Sequence, residues 1–167
     1  YNANFLHKNL IKFELADRDA WWSIFLHYQY GEHGVIDRIV DWAWSPEDKS
    51  YINDESIHLC GIALSWFLTT SNRYLRDRAT KALVSLLTRR IHVLRKIIHE
   101  FLNVNDPYVL ERLFAVAYGC AMRSIDNNAI AELAEDVYEW IFKDGTPPPH
   151  ILLRDYARGV IELALHR

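Results

Sequence analysis

The chain of 167 residues is poor in the residues from which the commonest sites are built. Its two cysteines, Cys60 and Cys120, form no CxxC pair and have no histidine at metal-ligand spacing, so neither a disulfide framework nor a zinc site can be drawn from them. In apolar helical surroundings they read as reduced core thiols of a cytosolic protein. Six glycines and no GxxxxGK[ST] run leave no loop whose backbone amides could cradle a phosphate, and no cofactor is expected. The longest nearly unbroken apolar stretch, 59–68, is too short to cross a bilayer and contains Ser65. Signal-peptide pattern, Asn-x-Ser/Thr sequon, HExxH pair and GxSxG elbow are all missing. The expected location is cytoplasmic, away from membranes. A net charge of −3 argues against a protein that coats nucleic acid with its whole surface.

Apolar residues are plentiful, at 50%, and they recur at helical spacing. The stretch 72–87, NRYLRDRATKALVSLL, returns 34 residues later as DPYVLERLFAVAYGCA, with Tyr74/Tyr108 and Arg78/Arg112 identical and Leu75/Val109, Asp77/Glu111 and Leu83/Ala117 alike in character. A third copy begins near Leu152, where Leu75-Arg76-Asp77-x-Ala79 reappears as Leu153-Arg154-Asp155-x-Ala157. A unit recurring every 34 to 44 residues predicts a stacked helical array in which each unit buries its apolar face against its neighbours.

In chain order, the pattern predicts a short amphipathic opening over 4–13. A helix over 20–30 follows, capped by Asp17 or Asp19, ended by Gly31 and apolar on too many sides for the surface. The next spans 33–44, with Ile36, Ile39, Val40 and Ala43 inward and Asp37, Arg38 and Asp41 outward. Beyond a polar loop over 47–53, Asn53 or Asp54 caps a long buried helix to 68. The helix over 74–89 turns Leu75, Ala79, Ala82, Leu83, Leu86 and Leu87 inward, and 91–102 is its short partner. Asp106 with Pro107, and then Asp126 to Asn128, cap two more helices. Gly145 and Pro147 to Pro149 break the chain before a last helix from 151. The sum is eight or nine helices, no strand and a single helical-repeat domain over 1–167. The opening at Tyr1 and the stop within a helical pattern predict a piece of a longer protein.

Enzyme chemistry finds little purchase. No two histidines lie four apart, and His92 and His99 share a helix face about 10 Å apart, too far for one ion. Glu132, Glu135, Asp136 and Glu139 read as the solvated face of an amphipathic helix. The six tryptophans mostly fall beside apolar stripe positions and read as core aromatics in preference to a binding surface. The one candidate surface is a basic stripe, Arg73, Arg76, Arg78, Lys81, Arg89, Arg90, Arg95 and Lys96 against Asp77 alone, which gives +7 and leaves −10 for the rest of the chain. Its bland counterpart is charge pairing within the array, with Arg76, Arg78 and Arg112 bonded to Asp77, Glu111 or acidic neighbours.

The units at 72–87 and 106–121 resemble HEAT-type repeats, whose second helix opens with a D-P-x-V-R-like turn. The match is best at Asp106-Pro107-x-Val109 and Leu75-Arg76, and departs at Leu110. The run from Asn72 through Tyr118-Gly119 to PPPHILLRDYARG at 147–159 is similar to helical regions of very large bacterial STAND/NACHT-type ATPases, several of which serve in antiviral defence. That resemblance implies a sensor or scaffold segment whose nucleotide-binding machinery lies elsewhere in a parent chain. The expected fold is therefore an all-α solenoid of stacked antiparallel helix pairs. Its expected role is non-catalytic, with a protein partner or other domains of the parent chain bound to it. Nucleic-acid binding or DNA processing through the basic stripe is the alternative.

Overall fold

A computed structural model describes residues 2–31 and 33–167. Among the described residues the regular structure is helical throughout, with no strand. Side-chain caps set most of the starts. Asn2 caps α1 (Ala3–Leu10), Asn53 caps α5 (Asp54–Phe67), and Asp126 caps α9 (Asn127–Ile141), each accepting a hydrogen bond from a first-turn amide. The two repeated stretches share one device. Asn72 accepts from Tyr74 and Leu75 N–H at the start of α6 (Arg73–Leu87), and Asp106 accepts from Tyr108 and Val109 N–H at the start of α8 (Pro107–Arg123). In α10 (Ile151–Leu165) His150 takes that place and accepts from Leu153 N–H.

The buried positions repeat as well. Leu75, Ala79 and Ala82 of α6 correspond to Val109, Leu113 and Val116 of α8 and to Leu153, Ala157 and Val160 of α10, and all nine are buried. Neighbour relations run in two series. α4 (Val35–Trp44) packs on α6, α6 on α8 and α8 on α10; α1 packs on α5, α5 on α7 (Ile91–Phe101) and α7 on α9. Cross-contacts of α5 with α6, α7 with α8 and α9 with α10 join the series, and the core lies between them. Glycines allow close approach at three of these contacts. A Cβ at Gly61 would come within 2.4 Å of Ile97, one at Gly119 within 3.0 Å of Val84, and one at Gly159 within 2.9 Å of the Tyr118 ring.

The amino-terminal part departs from expectation. Its second helix starts earlier than residue 20, as α2 (Leu15–Arg18), and no side chain caps it. A π-helical turn (Asp19–Ser23) then leads into α3 (Ile24–Gln29). Neither Asp17 nor Asp19 is a cap, because both lie within the helix they were expected to begin. Nor is this helix enclosed: Trp22 and Leu26 are buried, while Trp21, Ile24, Phe25 and Tyr28 are exposed, Tyr28 at 71%. Asp37, expected to face solvent, is buried and accepts from Gly31 N–H at 3.0 Å. Gly31 has φ +96, the left-handed geometry that a helix-ending glycine supplies.

One buried ion pair fastens this part to the start of α8. Arg18, with no exposed side-chain surface, donates to Asp106 at 3.0 Å and to Asn105 at 2.9 Å, and its guanidinium lies 5.4 Å from the Trp66 ring centre. Asp106 therefore caps α8 with one carboxylate oxygen and holds Arg18 with the other.

Candidate interaction grooves

The basic stripe begins on the outer side of α6 and crosses into α7, and most of its members are tied to a neighbour. Arg73 pairs with Asp77 one turn on, at 3.6 Å. Arg76 donates to the Thr70 carbonyl at 3.0 Å and stacks 5.1 Å from the Tyr108 ring centre. Arg78 pairs with Asp41 and donates to the Tyr30 hydroxyl. Arg90 pairs with Asp54 at 3.1 Å and donates to the Lys49 and Ile52 carbonyls, holding the loop after α4 against the start of α7. Arg95 bridges Asp136 at 2.6 Å and Glu132. Glu132 and Asp136 are thus bound across to α7, where the sequence suggested a purely solvated face. Arg112 closes the set by pairing with Asp77 at 3.5 Å.

Three stripe residues lack such a bond. Arg89 and Lys96 are exposed with no ion pair among the described residues, and Lys81 meets only the Trp44 ring, at 5.1 Å.

Two grooves carry the remaining chemistry. The first, about 720 Å³, lies along α5, α7 and α9 and is lined by Asp54, His58, His92, Arg95, His99 and Asp136 among others. Its charges are largely matched: His58 bonds Glu100 at 3.1 Å, His92 bonds Asp54 at 2.7 Å, and the Arg95 bridge crosses it. The hydrogen bond from His92, followed by its charge, holds the Asp54 carboxyl below the usual carboxylate range. Among the described residues no cluster of three or more His, Cys, Asp or Glu is arranged to hold a metal ion.

The second groove, about 1150 Å³, opens between the loop after α4 and the outer side of α6. On one wall stand Lys81, Ser85 and Arg89, with Arg123 from the end of α8; the other carries Trp44, Glu47, Asp48 and Ser50. Arg123 is exposed, and among the described residues its guanidinium donates to the Gly119 carbonyl alone, at 3.0 Å. Asp48 accepts from the Ser50 hydroxyl at 2.7 Å, which with the Ser50 amide keeps its carboxyl below the usual range. Lys49 is buried beneath the loop, donating to the Ser45 and Glu47 carbonyls and lying 5.6 Å from the Trp42 ring centre.

Sequence reasoning missed Arg123 as a member of this wall, because it lies at the far end of another helix. It also favoured the core over a binding surface for the tryptophans. Trp22 and Trp66 are buried, but Trp21 and Trp44 are about half exposed, Trp44 at 42%. Burial pushes the thiols of Cys60 and Cys120 up to about 12, so neither is a reactive thiolate at neutral pH. Among the described residues no helix is long and apolar enough to cross a membrane. Comparison with protein-family models, with curated proteins and with solved structures finds no match to the chain.

Proposed function

We propose that this chain is a HEAT-like α-solenoid of stacked antiparallel helix pairs, acting as a non-catalytic scaffold or sensor that binds a protein partner or another domain of a larger chain. The observation that carries the reading is the spacing of the bonds between helices. Arg78–Asp41, Arg90–Asp54, His92–Asp54, Arg95–Glu132, Arg95–Asp136 and His58–Glu100 all join residues 36 to 42 apart, about one repeat unit. Each unit is thereby tied to the next, as a quasi-one-dimensional array requires. The shared caps of α6, α8 and α10 support the same reading. The likeness of residues 72–159 to helical regions of STAND-type ATPases supports a role inside a larger assembly, where such regions sense or hold other parts.

Nucleic-acid binding through the whole stripe is the weaker reading, because five of its eight cations already have a carboxylate or carbonyl partner. A phosphate chain would have to displace those partners.

Site-specific photo-crosslinking in cells that make the protein natively tests the proposal. A crosslinker is placed at Ser85 in the second groove, Lys96 in the first, or Glu135 on the outer side of α9. A discrete protein adduct, identified by mass spectrometry, is expected from at least one site. Adducts to nucleic acid alone, or none from any site, would overturn the module reading.

A further inference from the structure

We propose that the second groove is a docking site for an acidic peptide segment of a partner protein, held with its carboxylates against Lys81, Arg89 and Arg123. This inference rests on the interaction-module reading and names the partner's chemistry and the surface that takes it.

Charge complementarity carries it. The three cations come from two helices and the turn after α6, they line one groove, and among the described residues none has a carboxylate bonded to it. Elsewhere in the array most cations have been given such a partner. The exposed Trp44 ring beneath Lys81 offers an apolar platform for the stem of a passing side chain. Ser85, between Lys81 and Arg89 on the same side of α6, adds an exposed hydroxyl.

The opposite wall decides between two polyanions. Glu47 and Asp48 face the groove from the loop; Ser50 bonds the Asp48 carboxylate, and Arg89 lies near enough across the groove to favour its charged form without bonding it. A nucleic-acid strand carries charge along its whole backbone and would meet these carboxylates as it met the cations. An extended peptide places alternate side chains on opposite sides, so one row of glutamates can face α6 while neutral residues face the loop. The groove therefore favours an acidic peptide over a phosphate chain.

The test uses a fluorescein-labelled peptide alternating Glu and Ser, a Lys-for-Glu version of it, and oligo-dT of equal length. Anisotropy should show saturable binding of the Glu peptide alone. Lys81→Glu/Arg89→Glu/Arg123→Glu should weaken it at least about tenfold, since each reversal turns an exposed attraction into a repulsion. A control with equal charge change, Lys8→Glu/Lys12→Glu/Arg158→Glu, should change it by less than about twofold. On the unaltered protein, NMR shifts should centre on the Trp44 indole and Ser85, so the proposal does not depend on the triple variant folding. No binding, shifts centred elsewhere, or oligo-dT binding more tightly with a steep salt dependence would each overturn it. A crosslinked protein adduct at Lys96 or Glu135 but not at Ser85 would sink the groove assignment alone and leave the module reading standing.

Discussion

The bond between Arg18 and Asp106 supplies the sharpest test of how the amino-terminal helix is attached. Asp106→Ala removes two things together. The cap on Tyr108 and Val109 N–H is lost, at about 1 kcal/mol. The Arg18 guanidinium is left buried without its carboxylate, and an uncompensated buried charge costs about 3–5 kcal/mol. Among the described residues Arg18 then keeps Asn105 as its one bonded partner, and its Nε has none. The sum, about 4–6 kcal/mol, is a large fraction of the roughly 5–15 kcal/mol that holds a domain folded. Asp106→Asn separates the two terms, because asparagine caps as well as aspartate does. It should cost about 3–5 kcal/mol, the charge term alone. The double variant Arg18→Met/Asp106→Asn should recover to within about 2 kcal/mol of the parent, since an apolar replacement of a buried pair is often nearly neutral. Urea denaturation followed by far-ultraviolet circular dichroism measures all three. An Asp106→Ala cost no larger than a lost cap would refute the reasoning, as would a double variant as unstable as Asp106→Ala.

Two further outcomes follow from the same structure. Arg95→Glu faces Glu132 and Asp136 and should lower the melting temperature, whereas Lys96→Glu, next to it and without an ion pair, should leave it unchanged; equal shifts would mean that the Arg95 bridge does not form in solution. His7 accepts from the Trp66 indole at 3.2 Å, and its pKa lies below 6.5, chiefly through burial, with Glu100 opposing and His58 adding to the shift. Below 6.5 the unfolded chain therefore binds more protons than the folded one, so this part of the stability is complete above 6.5 and is lost as pH falls towards the folded value. His7→Phe should flatten the dependence of the urea midpoint on pH in that window, and an NMR titration placing His7 at or above 6.5 would contradict the assignment.

The carboxyl-terminal half was readable because its signals are local. Asn72 and Asp106 stand directly before the helices they cap, and the inner stripe of α6 follows the 3.6-residue period that defines one buried face. The amino-terminal part failed for the opposite reason. Arg18 looks like a surface residue until Asp106, 88 positions away, is folded against it. Trp21, Ile24, Phe25 and Tyr28 look like core on hydrophobicity alone, since a single sequence does not tell a packed apolar face from one left open. The site was half legible: the stripe was visible as composition, and the pairing reading holds for Arg112 with Asp77 and for Arg78 with an acidic neighbour, Asp41, whereas Arg76 takes a carbonyl and the partners of Arg90 and Arg95 were not named. Counting back one unit from Arg78, Arg90 and Arg112 reaches Asp41, Asp54 and Asp77, and counting on from Arg95 reaches Glu132 and Asp136. The same count also reaches Asp41 from Lys81 and Asp48 from Arg89, which form no ion pair among the described residues, so spacing names candidate partners and the fold chooses among them.

The cations of the second groove can be neutralised from within. Lys81 meets the Trp44 ring and no carboxylate among the described residues. One unit back from Arg123 lie Ser85 and Leu86, which carry no charge. Ser85 is also four residues from both Lys81 and Arg89. A glutamate there would face all three cations at once, and exposed pairs at this spacing contribute about 0.2–0.5 kcal/mol each. Ser85→Glu should therefore raise stability slightly, by up to about 1 kcal/mol, while abolishing capture of the Glu peptide by occupying its contacts from within. Urea denaturation and anisotropy on one sample read the two effects, which a merely disruptive substitution would move in the same direction. Undiminished peptide binding by Ser85→Glu would show that Lys81, Arg89 and Arg123 are not the contacts.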